Sequence, residues 1–296
     1  MTASTLAERA NAKVNLVLRV GAPRADGMHP LCSLFAALEL ADDVRVEPGG
    51  AALDEVVCPG IDGENLTAAA VAAFRAAVPE VDLPPLRIAI DKRIPVAAGL
   101  AGGSADAAAV LRAANEIAGV PLTPDGLRAI AADLGSDVPS QVEPAHAIVT
   151  GVGERVERVH LPAMTIVLVV QEEGLSTAAV YGELDRLRRT AAAPEAGLGG
   201  PYAGTPALDP APLRALAAAG SLTGLAAGLS NDLQPAALEL RPDLSEPIAA
   251  LRAAGALAAR VTGSGPTTFG LFADRAAAER AAEAIGEPAI VTGLLA

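Results

Sequence analysis

Residues 95–106 read Pro-Val-Ala-Ala-Gly-Leu-Ala-Gly-Gly-Ser-Ala-Asp, and three of the twelve are glycine. The segment stands between a strand pattern and a helix pattern. Upstream, 86–92 (LRIAIDK) sets Leu86, Ile88 and Ile90 on one face, the period of a half-buried strand. Downstream, a helix runs from about Ser104 to Ile117 and stops at Gly119, before Pro121. A chain that puts its most flexible residues at such a junction either only turns a corner there or lets a ligand approach bare backbone. In the second case Ser104 caps the helix and Asp106 complements the dipole from its first turn. The free N–H groups then face an anion with no side chains in the way. The segment is neither G-x-x-x-x-G-K-[ST] nor G-x-G-x-x-G.

Charge narrows the ligand. The formal net charge is −13, and no Lys/Arg cluster offsets it, which excludes nucleic acid as a partner. An anion must therefore be held by backbone amides and a few placed cations. Hydrophobic residues make up 51% and charged ones 19%, as in a soluble globular protein, while aromatics are 2% and Trp is absent. Small side chains, alanine above all, fill the core. Cys32 and Cys58 have neither metal nor redox spacing. The amino-terminal residues lack a signal-peptide pattern, and no apolar run approaches the roughly 20 residues of a membrane span. These features predict a cytoplasmic protein with no membrane partner.

Along the chain, 12–20 (AKVNLVLRV) reads as a strand burying Val14, Leu16 and Leu18, with Lys13 and Asn15 on the opposite face. A short strand follows at 42–48, and a helix at 65–78 opened by Asn65. Thr123-Pro124 opens a helix that ends at Gly135. Two strands flank the Gly-Val-Gly turn within 146–159. A strongly apolar strand at 164–170 leads to a helix opened by Ser176 or Thr177. Residues 191–213 read as a mobile surface excursion. Helical segments follow, including 243–254, and then strand (256–262), glycine-rich turn, strand (266–272), helix (274–285) and strand (288–292). That second half is a split βαβ pattern. We expect an α+β chain with an amino-terminal domain at 1–160 and a ferredoxin-like domain at 161–296.

Three further features each allow a bland and a chemical reading. Lys13 and Asn15 are either a solvated strand face or a cation and an amide at a site. Asp137, in Leu-Gly-Ser-Asp-Val-Pro-Ser (134–140), is either a turn cap or a free carboxylate. Val-Thr-Gly-Ser-Gly-Pro-Thr-Thr-Phe-Gly (261–270) is either a hairpin or a second ligand loop. His146 and His160 have no partners at metal spacing. No G-x-S-x-G elbow points to a serine hydrolase.

Together these motifs, in this order, resemble the signature series of the GHMP small-molecule kinases, which include galactokinase, homoserine kinase and mevalonate kinase. The resemblance covers nearly the whole chain. Ala12–Leu16, Arg24–His29, Glu64–Leu66, Ile94–Ala107, Leu134–Pro139 and Asn231–Pro235 are similar to the branch that acts on a methylerythritol carried by cytidine diphosphate. Residues 174–188 resemble its actinobacterial form. The family fold this implies is a ribosomal protein S5 domain 2-like domain followed by a ferredoxin-like one. The activity it implies is ATP-dependent, Mg²⁺-assisted phosphorylation of that substrate's 2-hydroxyl, on the non-mevalonate route to isoprenoid precursors. A monomer or weak homodimer is the expected state.

By the same resemblance Gly99, Gly102, Gly103 and Ser104 cradle the triphosphate, with the Ser104 hydroxyl beside Mg²⁺. Asn65, Leu66, Lys92 and Pro95 lie near adenine. Asp137 accepts the proton of the acceptor hydroxyl and Lys13 lies between it and the phosphate. Asn15, Met28, His29, Thr177, Tyr181, Gly263 and Ser264 contact the acceptor, with Gly265 in the same closing loop. Met28, Pro30 and Ser140 stand where the family usually has Tyr, Glu and Phe, which keeps a sugar or amino alcohol open as the alternative acceptor. The retained Lys13, Ser104 and Asp137 argue against a binding-only relative of these kinases.

Overall fold

The computed structural model describes residues 5–49, 52–60, 65–192, 208–286 and 288–296. Strands β1 (Leu6–Val20), β2 (Leu31–Pro48) and β3 (Glu55–Val57) lead to helix α1 (Leu66–Ala77), β4 (Leu86–Asp91) and α2 (Gly102–Ile117). Helices α3 (Pro124–Leu134) and α4 (Val138–Gln141) precede β5 (Ala147–Gly151) and β6 (Arg155–Arg158). The chain continues through β7 (Thr165–Val169), α5 (Thr177–Ala192), α6 (Ala211–Ala218), α7 (Leu222–Gly228), β8 (Ser230–Asn231), α8 (Gln234–Leu240) and α9 (Ser245–Ala253). It ends with β9 (Ala258–Val261), β10 (Thr268–Phe272), α10 (Arg275–Ile285) and β11 (Ala289–Gly293).

The first sheet runs β3-β4-β2-β1-β8, and β5 and β6 extend it from β2. One long strand serves two neighbours: the far half of β2 (43–48) pairs with β4 and its near half (31–35) with β5. The second sheet is antiparallel in the order β11-β7-β10-β9, as the split βαβ pattern requires. Strand β7 carries the layering in its alternation. Ile166 and Leu168 face the first sheet's Ala12, Val14 and Leu16, whereas Val167 and Val169 face Val180 and Leu184 of α5 and Leu251 of α9. The remaining core lies between the first sheet and α1–α3, where Phe74 packs with the buried alanines of α2. Those alanines let α2 lie close to its neighbours, so small side chains fill the interior as composition suggested. Among the described residues no helix is long and apolar enough to cross a membrane.

Several element boundaries depart from expectation. The strand expected at 12–20 begins at Leu6, and both of its faces are buried from Ala10 to Leu18, including Lys13 and Asn15. The short strand expected at 42–48 is the end of the 18-residue β2. In its first half, Cys32–Leu38 are buried on both sides and so lack the alternation of a half-buried strand. Helix α2 starts at Gly102, because Ala101 makes the turn in the left-handed region (φ 61°) and makes no side-chain cap bond. Ser104 is therefore inside the first turn instead of capping it, and Asp106 falls beyond that turn. The expected caps Asn65 and Thr123 are present, accepting from the amides of Thr67 and Gly126. Within 191–213, residues 193–207 lie outside the described residues, and the end of the stretch is helix α6 with Leu213 buried.

Candidate active site

A cleft of about 1030 Å³ opens where the two glycine-rich loops meet, and every site residue expected from the sequence except Gly265 lines it. Its floor is β1. The β1/β2 register slips between Asn11 and Lys13 and again between Asn15 and Val17. Such irregularities re-aim side chains, and here they bracket Lys13 and Asn15. Lys13 is only 4% exposed. Its ammonium donates to Asn15 Oδ1 at 2.9 Å, lies 3.2 Å from Asp137 Oδ2, and sits 4.8 Å from the centre of the Phe35 ring. A buried cation is tolerated only with such partners. Asn15 Nδ2 donates to Ser33, and its backbone amide to Thr262 Oγ1 at 2.9 Å, which ties β1 to the second loop.

Asp137 precedes the short α4 and makes no side-chain cap bond, so its carboxylate is held by Lys13 alone among the described residues. The segment behind it is pinned by Ser140, whose buried hydroxyl donates to the Asp137 carbonyl at 2.8 Å. Burial, and then the Asp137 charge, push the Tyr181 phenol up to about 12, so it stays neutral beside the carboxylate.

The three glycines of 95–106 are glycine for different reasons. A Cβ on Gly99 (φ +76°) would lie 2.7 Å from the Gly265 carbonyl oxygen, so this glycine lets the two loops touch. A Cβ on Gly102 would meet Ile94 and the Lys92 ammonium at 3.0 and 3.2 Å. Only Gly103 faces open space, with nothing within 4 Å. The first bond of α2 is Ala105 N–H to Ala101 O at 2.9 Å. The amides of Gly102, Gly103 and Ser104 therefore have no helical acceptor, and this end of a 16-residue helix carries partial positive charge. An anion fits here.

Lys92 was expected near a nucleobase. It lines the cleft, but its ammonium is committed to Asp42 and, at 2.8 Å, to Asp106. Burial works against that charge, yet the two carboxylates outweigh it and raise the pKa. Asp106 is pushed up to about 6, chiefly by burial, with Lys92 pulling the other way. Asn65 spends its Oδ1 on the Thr67 amide and hydroxyl. On the opposite wall, the Thr177 hydroxyl lies 3.0 Å from that of Ser264 and joins α5 to the second loop. Met28 is 44% exposed at the mouth. His29 leans on Tyr181 with ring centres 5.0 Å apart and contacts Asp185.

The sequence reading missed Phe35, Asp42, Asp185 and Thr262. It quoted Asn231 without a role, yet Nδ2 of Asn231 donates to the carbonyls of Val261 and Gly263, both at 2.8 Å, and holds the second loop in shape. Among the described residues no cluster of His, Cys, Asp or Glu could hold a metal by itself. The arrangement can bind a polyanion at α2 and present a carboxylate–ammonium pair to a group placed beside it.

Residues 65–144 match the GHMP kinases N terminal domain, and 213–290 match the GHMP kinases C terminal domain. The chain is 43% identical over 285 residues to a 4-diphosphocytidyl-2-C-methyl-D-erythritol kinase of Streptomyces avermitilis, covering 94% of this chain and 91% of that one. A kinase of the same name from Nocardia farcinica is 44% identical over 268 residues, covering 88% and 82%. Among solved structures, a 4-(cytidine 5'-diphospho)-2C-methyl-D-erythritol kinase superposes with a TM-score of 0.76 at 34% identity, covering 98% of this chain and 100% of that one. The chain belongs to the GHMP kinases and, within them, to the 4-diphosphocytidyl-2-C-methyl-D-erythritol kinase family.

Proposed function

We propose that this chain transfers the γ-phosphoryl group of ATP to the 2-hydroxyl of 4-diphosphocytidyl-2-C-methyl-D-erythritol, with Asp137 and Lys13 as the reacting pair. The observation that carries this reading is the 3.2 Å contact between Lys13 Nζ and Asp137 Oδ2 beside the open N-terminus of α2. The acceptor oxygen attacks the γ-phosphorus, the bond to the β–γ bridging oxygen breaks, and ADP leaves with that electron pair. The proton passes to Asp137. Lys13, 3.2 Å from that carboxylate, balances charge that spreads over the transferred oxygens. Phosphoryl transfer depends mainly on such positioning and charge, and a placed base adds about 10²–10⁴-fold.

The free amides at Gly103 and Ser104 hold the phosphates, and Asn65, Leu66 and Pro95 flank the adenine. Mg²⁺, when bound with ATP, would supply charge neutralisation at the phosphate oxygens, and the Ser104 hydroxyl in the first turn of α2 would lie beside it. His29, Tyr181 and Met28 surround the cytidine end, and Asn15, Thr177, Gly263 and Ser264 the phosphates and the erythritol. The reading takes a monomer or weak homodimer in the cytoplasm as the working form.

The test is ATP-dependent phosphorylation of this acceptor by wild type, Asp137→Asn and Lys13→Met, with the product located by ³¹P NMR. Asp137→Asn should lower kcat by about 10²–10⁴-fold with ATP binding retained. A folded, ATP-binding wild type that leaves the acceptor untouched would refute the assignment.

A further inference from the structure

Helix α5 places Thr177, Tyr181 and Asp185 four residues apart, on one face, and all three line the cleft. The helix is fixed along that wall by Arg188, which donates to the carbonyls of Val20 at 2.7 Å and Gly21 at 3.0 Å. Opposite it, the 21–30 connection ties itself into a tip. Gly21 N–H donates to Pro30 O at 2.7 Å, Arg24 N–H to Met28 O at 2.8 Å, and Met28 N–H to Asp26 Oδ1 at 3.0 Å. His29 joins tip to helix, its Nε2 lying 3.1 and 3.2 Å from the two Asp185 oxygens. The two side chains are 9% and 21% exposed, so water competes little for this contact.

Asp185 has no part in the transfer chemistry. A carboxylate oxygen accepts here, so Nε2 carries the hydrogen of this contact, and an imidazole with its one hydrogen on Nε2 has its lone pair at Nδ1. Among the described residues Nδ1 has no protein hydrogen bond. We propose that Asp185 is the positioning residue that sets base specificity at the acceptor site. By holding His29 as the Nε2–H tautomer it presents Nδ1 as an acceptor. That nitrogen takes a hydrogen bond from the exocyclic amine of cytosine and opposes the carbonyl oxygen that uracil carries there. The inference rests on the reading above, in which His29 and Tyr181 flank the cytidine end.

The experiment measures CMP and UMP binding by calorimetry, and KM for the acceptor and for ATP separately, in wild type, Asp185→Asn and Asp185→Leu. Wild type should favour CMP by about tenfold, the worth of one charge-oriented hydrogen bond. Asp185→Leu should erase that preference and raise the acceptor KM about tenfold, with KM for ATP and kcat held. Asp185→Asn still offers an oxygen to Nε2–H and should retain the preference. Ring ¹⁵N NMR of wild type reads the tautomer directly and depends on no variant folding; a bare Nδ1 is expected. A protonated Nδ1 with bare Nε2, or an Asp185→Leu enzyme that discriminates as wild type does, overturns the inference and leaves the kinase reading standing. A wild type that phosphorylates no cytidine acceptor and treats CMP and UMP alike overturns both.

Discussion

Lys92 sits between two carboxylates that are almost wholly withdrawn from water, Asp42 at 0% and Asp106 at 2% exposure. Asp42 is further satisfied by the amides of Arg93 and Ile94, at 2.6 and 2.7 Å, whereas Asp106 Oδ1 has no hydrogen-bond partner. The proton of the cluster therefore belongs to Asp106. Its folded pKa of about 6 stands above the ordinary 3.8, so the stability it contributes is full below 3.8 and is lost as pH rises through about 6. Lys92→Met strands two carboxylates and should cost about 3–5 kcal/mol by urea unfolding at neutral pH. The loss should shrink in acid as Asp106 takes up its proton; a pH-independent loss would count against this account. None of this cluster was legible in the sequence. Asp42 and Asp106 lie 50 and 14 residues from Lys92, and Asp185 lies 156 from His29. Lys13, Ser104 and Asp137 were legible because motif spacing is local, but the partners that hold side chains in place come from distant chain.

At the scale of elements, the two glycine loops act as one unit, since Gly99 touches Gly265 and Asn231 braces the second loop. Gly99→Ala should lower Tm by several degrees, because its Cβ would strike backbone and its φ is left-handed. Gly103→Ala should keep or raise Tm, since alanine suits a helix, and yet raise KM for ATP by filling the cradle. Equal effects of the two on Tm would refute the division of roles. Helices with caps and apolar periods were read well from sequence, as Asn65 and Thr123 show. Strand β2 was not, because Cys32–Leu38 is buried on both faces and, Ser33 apart, apolar, and such a run has no period to distinguish it from a buried helix. The start of α2 was misplaced for another reason. A serine after two glycines suggests a cap, but the turn is made by the backbone of Ala101, which leaves no mark in side-chain chemistry.

For the molecule as a whole, the two sheets are joined at the middle of β2 as well as at the cleft. Leu295 N–H donates to Ala37 O at 2.9 Å and Leu38 bridges to Leu294; beside this joint, within the first sheet, His146 Nδ1 accepts from Ala37 N–H at 3.2 Å. Nδ1 can accept only while the ring is neutral. Burial lowers the His146 pKa from 6.5, against the pull of the Leu295 backbone. Its contribution is thus full above pH 6.5 and is lost as pH falls below that value. The urea midpoint of wild type should drop across this range by more than that of His146→Gln, in which the Asp106 titration is common and cancels. Parallel pH profiles would remove His146 from this account. The ferredoxin-like half was legible as a whole from its alternation of strands and helices, whereas this joint depends on backbone contacts that no pattern announces.

The parallel pairing of β1 with β8 has a consequence in time. Val20 N–H is held by Asp232, 212 residues later, and the face of β1 with Ala12, Val14 and Leu16 shares a core with Ile166 and Leu168 of β7 and Phe269 and Leu271 of β10. At a synthesis rate of about 5–20 residues per second, the nascent chain waits about 10–40 s between making its first strand and making β8, the partner on that strand's second edge. For that interval an unpaired edge and an apolar face stand open on the ribosome, and whatever shields them there decides how much enzyme the cell obtains.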